Sequence, residues 1–281
     1  MQGHPEFSRL WEKHIDRILR DIGLTPTIHE PCIYSGLILG ERVLFMRQVD
    51  DFAISAPSQR IANHLLNLID EKLTIPMKRQ GLVTLYNGLD ILQTREYIKV
   101  YCETYINRIS VHYDNVRHAL KYLHQTRSEG LYYWRTTPRS ELDSVPLPII
   151  LSTEQDLLRT NCQHHDALNA HGMSDADWAS CLLTRRSFTG SLIKLAGAAV
   201  AYKTQLQVTI TTSSTELEFM AAYELGKALL YVCSLLWDLN VPQEAASRIY
   251  EDNDACTAMA NAQKPTSRTR HMDIRYNVLC E

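Results

Sequence analysis

The sequence predicts a mixed α+β / α/β chain in two parts, and three observations carry that reading. Helix-like and strand-like hydrophobic periodicities alternate along its 281 residues. A stretch punctuated by Pro138, Pro146 and Pro148 interrupts them near the middle. Beyond it, the acidic residues Asp175, Glu218, Asp252 and Asp273 fall on four different predicted elements, in an order that lets them converge.

Residues 6–22 carry Phe7, Leu10, Trp11, Ile15, Ile18 and Leu19 at helical spacing, closed by Gly23 and Pro26. Two apolar runs follow, Cys32 to Leu39 and Arg42 to Met46, with Gly40 and Glu41 between them as a hairpin turn. A third run, Phe52 to Ser55, resumes after Asp50 and Asp51, which places the two aspartates at a tight bend between strands. Residues 58–73 return to a helical pattern through Ile61, Leu65, Leu68 and Ile69, and Tyr86 to Gln93 and Glu96 to Tyr101 read as a strand pair. A basic helix over Asn115 to Gln125 leads into the Pro-rich connector, where the domain boundary is placed.

The second part opens with a strand ending at Ser174 and Asp175. A hairpin follows, with strands Ser191 to Ala196 and Ala198 to Lys203 and a further stretch at Val208 to Thr211. Ser213 to Asn240 is the clearest helix: Ser213 and Glu216 have capping-box spacing, Leu217, Met220, Ala221, Leu225, Ala228, Val232 and Leu235 form an apolar face, and Glu218 borders it. Arg248 to Glu251 then delivers Asp252, Ala255 to Ala262 is a short helix, and a last helix begins near His271.

Composition narrows the function classes. A net charge of -3 excludes polyanion binding by bulk electrostatics, so local clusters would have to serve: Lys78 with Arg79, Arg117/Lys121/Arg127, Arg185 with Arg186, and Lys264/Arg268/Arg270/Arg275. Seven scattered cysteines without a Cys-x-x-Cys pair argue against a zinc ribbon or a disulfide framework and fit a reducing, intracellular setting. No apolar stretch is expected to span a membrane, and the N-terminus has no signal-peptide pattern.

An all-oxygen set of acidic side chains suits Mg²⁺, with Mn²⁺ as a substitute, better than zinc. Two such ions about 4 Å apart activate a water and stabilise the leaving oxygen in phosphodiester hydrolysis. Their mutual repulsion demands several carboxylates in one place. Asp177 competes with Asp175 and would share its face if the strand continued, while Glu216 is accounted for by the capping box.

The strings Ser174-Asp175-Ala176-Asp177-Trp178-Ala179, Thr184-Arg185-Arg186-Ser187, Ser213-Ser214-Thr215-Glu216-Leu217-Glu218-Phe219, Tyr250-Glu251-Asp252-Asn253 and Thr269-Arg270-His271-Met272-Asp273 occur in that order. Together they resemble the ribonuclease H domain of copia-type LTR retrotransposons. The resemblance implies two Mg²⁺ ions held by Asp175, Glu218, Asp252 and Asp273, with His271 at the scissile phosphate. It also implies hydrolysis of the RNA strand of an RNA/DNA hybrid by metal-activated water, and hybrid contacts by Arg185, Arg186, Arg268 and Arg270.

The first part carries Gln48-Val49-Asp50-Asp51 between apolar runs, flanked by Glu30-Pro31-Cys32-Ile33-Tyr34 and Tyr86-Asn87-Gly88-Leu89-Asp90-Ile91. It is similar to the palm of a copia-type reverse transcriptase, which implies Asp50 and Asp51 as further metal ligands. The third polymerase carboxylate would lie before Met1, and Ile109 runs almost directly into the helix at Asn115, so most of a thumb is missing and no DNA synthesis is expected. The organisation expected is therefore a partial reverse-transcriptase palm at 1–110, a residual connection and linker at 111–168, and a ribonuclease-H-like domain at 169–281, with a mixed sheet and flanking helices. As a retrotransposon Pol fragment the chain would act with an RNA/DNA hybrid, and with the remainder of a Pol polyprotein, in a cytoplasmic virus-like particle or the nucleus. The alternative is a catalytically silent nucleic-acid-binding remnant.

Overall fold

Helix α1 (Pro5–Asp21) begins the part of the chain that a computed structural model describes: residues 5–48, 51–109, 117–135, 168–177, 184–208 and 213–261. The chain divides into two units, Met1–Asn161 and Cys162–Glu281. Their described elements are a mixture of helices and three four-stranded sheets, an α+β architecture.

In the first unit, α1 turns at Gly23 into β1 (Thr25–Pro26), β2 (Ile33–Ile38), β3 (Glu41–Gln48) and β4 (Asp51–Ser55), an antiparallel sheet in that order. Helix α2 (Gln59–Asp70) follows, capped by Ser58, whose Oγ accepts from the Ile61 backbone N–H at 3.4 Å. Ile61, Leu65 and Ile69 recur every four residues on one face of α2. They close on Ile15, Ile18 and Leu19 of α1 and on Tyr34, Val43 and Phe45 of the sheet to make one continuous core. The turn between β2 and β3 falls on Leu39–Gly40, one residue earlier than expected. Gln48 pairs with Asp51, so Asp51 stands at the β3–β4 hairpin as expected; Asp50 lies outside the described residues.

A second sheet of this unit runs β5 (Leu85–Tyr86), β6 (Leu89–Gln93), β7 (Tyr97–Tyr101), β8 (Gly130–Trp134), again antiparallel in chain order. The single strand expected over Tyr86–Gln93 is split, because Asn87 and Gly88 take φ of 49° and 80°. That pair makes a two-residue hairpin turn, which asparagine and glycine tolerate best. Helices α3 (Glu103–Ile109) and α4 (Arg117–Gln125) precede β8. Neither α3 nor β8 is expected from the sequence. Strand β8 falls inside the predicted connector, and its Gly-Leu-Tyr-Tyr-Trp run shows no clear alternation because all but one of its residues are half-buried. Its partner β7 lies some thirty residues away, so only the pairing Tyr97↔Trp134 to Tyr101↔Gly130 defines it.

The second unit contains β9 (His171–Asp177), β10 (Phe188–Leu195), β11 (Ala198–Leu206), α5 (Ser214–Asp238), β12 (Arg248–Tyr250) and α6 (Asp254–Asn261). Its sheet has the order β11-β10-β9-β12, antiparallel except for β12, which runs parallel to β9. Helix α5 lies against β9 at Gly172, where an added Cβ would come within 2.8 Å of Leu225. Leu225, Leu229 and Leu236 pack there with Ala170 and Ile193, while Phe219 meets Cys256 of α6. By length and apolar composition α5 could cross a membrane, contrary to the sequence expectation. Its nine buried residues, packed on β9, β10 and α6, give it the position of a core helix. The expected apolar face is also shifted: Phe219, Ala222 and Leu229 are buried, whereas Ala228 is exposed. Helix α5 is covered by the sheet and, near its start, by α6, so a single stripe underestimates its buried surface.

Candidate metal centre

The two parallel strands set the geometry of the centre. Their register matches Tyr250 of β12 with Met173 of β9, so the positions two residues further on, Asp252 and Asp175, stand side by side. Strand β9 alternates strictly, with Gly172, Ser174 and Ala176 buried and Met173, Asp175 and Asp177 exposed. It continues through Asp177, so both aspartates do share a face. Glu218 comes from the second turn of α5, on the side that Leu217 and Ala221 pack against Ala176.

Asp175, Glu218 and Asp252 each present a carboxylate oxygen within 4.8 Å of the others, and they are the only such group among the described residues. Asp175 and Asp252 are exposed, but Glu218 is only 7% exposed. The Ala176 backbone N–H donates to the Glu218 carboxylate, whose Oε2 is buried without a hydrogen-bond partner. Burial first, then the nearby Glu251, Asp175 and Asp252 charges, push the Glu218 carboxyl up to about 7. A buried carboxylate oxygen with no donor, facing two exposed carboxylates, is a poor arrangement for an empty protein interior and a suitable one for a hard cation.

The loop before β10 adds positive charge at the same end of the sheet. Phe188 pairs with Asp177, so residues 184–187 lie beyond the carboxylate end of β9. They include exposed Arg185, with φ of 55°, and half-buried Arg186, whose backbone N–H donates to Thr184 Oγ1 at 3.4 Å. Two other basic candidates are engaged locally. Arg79 pairs with Asp70 at 2.6 Å and Arg127 with Glu103 at 3.2 Å.

The fourth expected acid, Asp273, and with it His271, Arg268 and Arg270, lie outside the described residues. Asp51 belongs to the first unit and is not part of the cluster. The capping box is corrected: Ser213 is the N-cap of α5, but its side chain makes no capping bond. The start of the helix is held instead by burial of Leu217, whose carbonyl accepts from Gln207 Nε2 at 3.5 Å.

Sequence reasoning missed the residues that fasten the cluster. Ser174 Oγ donates to Glu251 Oε2 at 2.9 Å, and the Asn253 N–H donates to Glu251 Oε1 at 3.2 Å. Asn253 Oδ1 in turn accepts from the Cys256 N–H at 2.9 Å, capping α6. Burial, then Glu251 and Glu218, push the Cys256 thiol up to about 12. No local pattern signals the first of these contacts, because its partners lie 77 residues apart.

A mixed sheet with a core helix that together gather three carboxylates defines a class: an α+β domain with a candidate divalent-metal centre. Similarity to known proteins carries the assignment further, for several relatives of the chain are retrovirus-related Pol polyproteins of plant transposons. It is 32% identical over 110 residues to the one from transposon TNT 1-94 of Nicotiana tabacum, covering 39% of this chain and 8% of that protein. It is 25% identical over 223 residues to the one from transposon RE1 of Arabidopsis thaliana, covering 76% of this chain and 14% of that protein. With the RE2 polyprotein of the same plant it shares 28% identity over 114 residues, 41% of this chain and 8% of that protein. These findings agree with the resemblance to copia-type Pol, and the chain spans 8 to 14% of the length of these relatives. No protein-family model and no solved structure matches the chain.

Proposed function

We propose that the second unit is a ribonuclease-H-type domain of a retrotransposon Pol fragment, hydrolysing the RNA strand of RNA/DNA hybrids with Mg²⁺. The observation that carries this reading is the convergence of Asp175, Glu218 and Asp252 within 4.8 Å, from a strand, a helix and the end of a parallel strand. The residues fit the ion: the donors are all oxygens, and the buried Glu218 Oε2 has no other partner. When bound, Mg²⁺ would supply Lewis-acid stabilisation of phosphate oxygens and lower the pKa of the attacking water.

The chain's own groups then have separate tasks. Asp175, Glu218 and Asp252 hold the ion, and the Ala176 N–H aims the Glu218 carboxylate. Arg185 and Arg186 meet phosphates arriving at the carboxylate end of the sheet. The resemblance assigns Asp273 as a further ligand, His271 to the scissile phosphate, and Arg268 and Arg270 to the backbone of the hybrid. The first unit is read as part of a reverse-transcriptase palm.

The test is cleavage of a hybrid labelled on its RNA strand, with and without Mg²⁺, by the full chain and by Asp252→Asn. Magnesium-dependent cutting that the substitution abolishes supports the reading. Hybrid binding with no cutting by the unaltered chain overturns it in favour of a silent binding remnant.

A further inference from the structure

We propose that Glu251 is a positioning residue, a clip that sets the spacing of Asp252 and Asp175 without itself ligating the ion. This rests on the reading of Asp175, Glu218 and Asp252 as ion ligands. Strand β12 is only three residues long and pairs with β9 along one side, so backbone pairing ends at Tyr250, two residues short of Asp252. Something else must hold the carboxylate-bearing ends together. Glu251 is placed to do so, because Ser174 immediately precedes Asp175, Glu251 immediately precedes Asp252, and the two side chains join at 2.9 Å.

The other flank of Asp252 is held as well. Asn253 donates its N–H to Glu251 and caps α6, and α6 packs through Cys256 on Phe219, the neighbour of Glu218. Asp252 therefore sits between two anchored residues, one tied to the strand of Asp175 and the other to the helix of Glu218. Both oxygens of Glu251 are engaged by these donors, and Ser174 is only 8% exposed. A carboxylate already committed to a buried hydroxyl and a backbone N–H is suited to orienting its neighbours rather than to coordination.

The experiment measures Mn²⁺ binding to the full chain by calorimetry, with Mg²⁺-activated hybrid cleavage as the second readout. Glu251→Gln keeps both contacts in principle, since the amide oxygen accepts from Asn253 and the amide NH₂ donates to a Ser174 hydroxyl that has turned round. The expected result is a Mn²⁺ affinity within about twofold of the unaltered chain for Glu251→Gln, and a loss of about tenfold for Ser174→Ala and for Glu251→Ala. The two alanine changes together are expected to cost no more than Glu251→Ala alone, because that change already removes the Ser174 contact. Failure of Glu251→Gln to the level of Glu251→Ala overturns the proposal, for the charge rather than the clip would then matter. Unchanged affinity in the alanine variants overturns it too. Should the alanine variants not fold, the Glu251→Gln isotherm alone decides. No Mn²⁺ binding by the unaltered chain would instead defeat the metal reading itself.

Discussion

The sheet of β1–β4 and the sheet of β9–β12 each have four strands, yet they are built by opposite means. In the first, every pairing is antiparallel between strands adjacent in sequence, and α1 and α2 close one continuous apolar core over it. In the second, β12 returns from beyond a 25-residue helix to lie parallel to β9, and the buried residues among those described fall into three smaller clusters. Glu218 is buried among them. Parallel return brings two strand ends to one place, which local hairpins do not do. The first sheet is organised around packing, and the second brings three carboxylates together.

The largest expected effect tests that division directly. Asp252→Asn should lower hybrid cleavage by more than about 100-fold, the upper range for residues that only support a ligand. Asp51→Asn, at the hairpin of the other sheet, should leave the same assay unchanged. Equal losses from the two would break the comparison. A core change reverses the pattern. Leu65 is fully buried between α2 and the first sheet, and Leu65→Ala should cost about 2–5 kcal/mol of that unit's stability in urea unfolding. The Mn²⁺ isotherm of the folded variant should not move.

A smaller effect concerns pH. In the metal-free chain the Glu218 carboxyl sits at about 7 instead of its ordinary 4.5, chiefly because it is buried. The folded state then retains a proton that the unfolded state gives up. The sign follows: this contribution to stability is fully present below the unfolded value and is lost as pH rises through about 7. Thermal melts in EDTA should show Tm falling across that window, and Glu218→Gln should flatten the fall. Added Mg²⁺ should raise Tm more on the alkaline side of the window, where the carboxylate is free to ligate. A pH-independent melt would remove Glu218 from the electrostatic account of the site.

How much of this was legible in the sequence depends on the range of the interaction. The helical stripe Ile61, Leu65, Ile69 and the hairpin ending at Asp51 are local patterns, and the sequence shows both. The convergence of Asp175, Glu218 and Asp252 was legible because each sits on the end or shoulder of a recognisable element, and their motifs resemble those of a known family. Strand β8 was not, since its definition comes from pairing with distant β7. Nor was the Ser174–Glu251 contact, which joins residues 77 positions apart through a register that only the folded sheet fixes. Ser213 shows the converse error: its spacing from Glu216 satisfies a local rule, yet packing of Leu217 and the Gln207 contact hold the helix start without its hydroxyl.

The smallest predicted effect separates basic residues for which no ion pair occurs among the described residues from those already engaged. Exposed Arg185 and half-buried Arg186 stand at the carboxylate end of β9, whereas Arg79 and Arg127 are committed to Asp70 and Glu103 within the first unit. Removing one side chain that neutralises a phosphate should reduce the slope of log affinity against log salt by about 1. Arg185→Ala should therefore weaken hybrid binding severalfold at low salt, with little change at high salt and none in base preference. Arg79→Ala should lower the stability of its own unit and leave the salt slope alone. If both changes altered the slope equally, the positive charge that meets the hybrid would be spread over the chain, and the carboxylate end of the second sheet would lose its claim to be the place where the hybrid arrives.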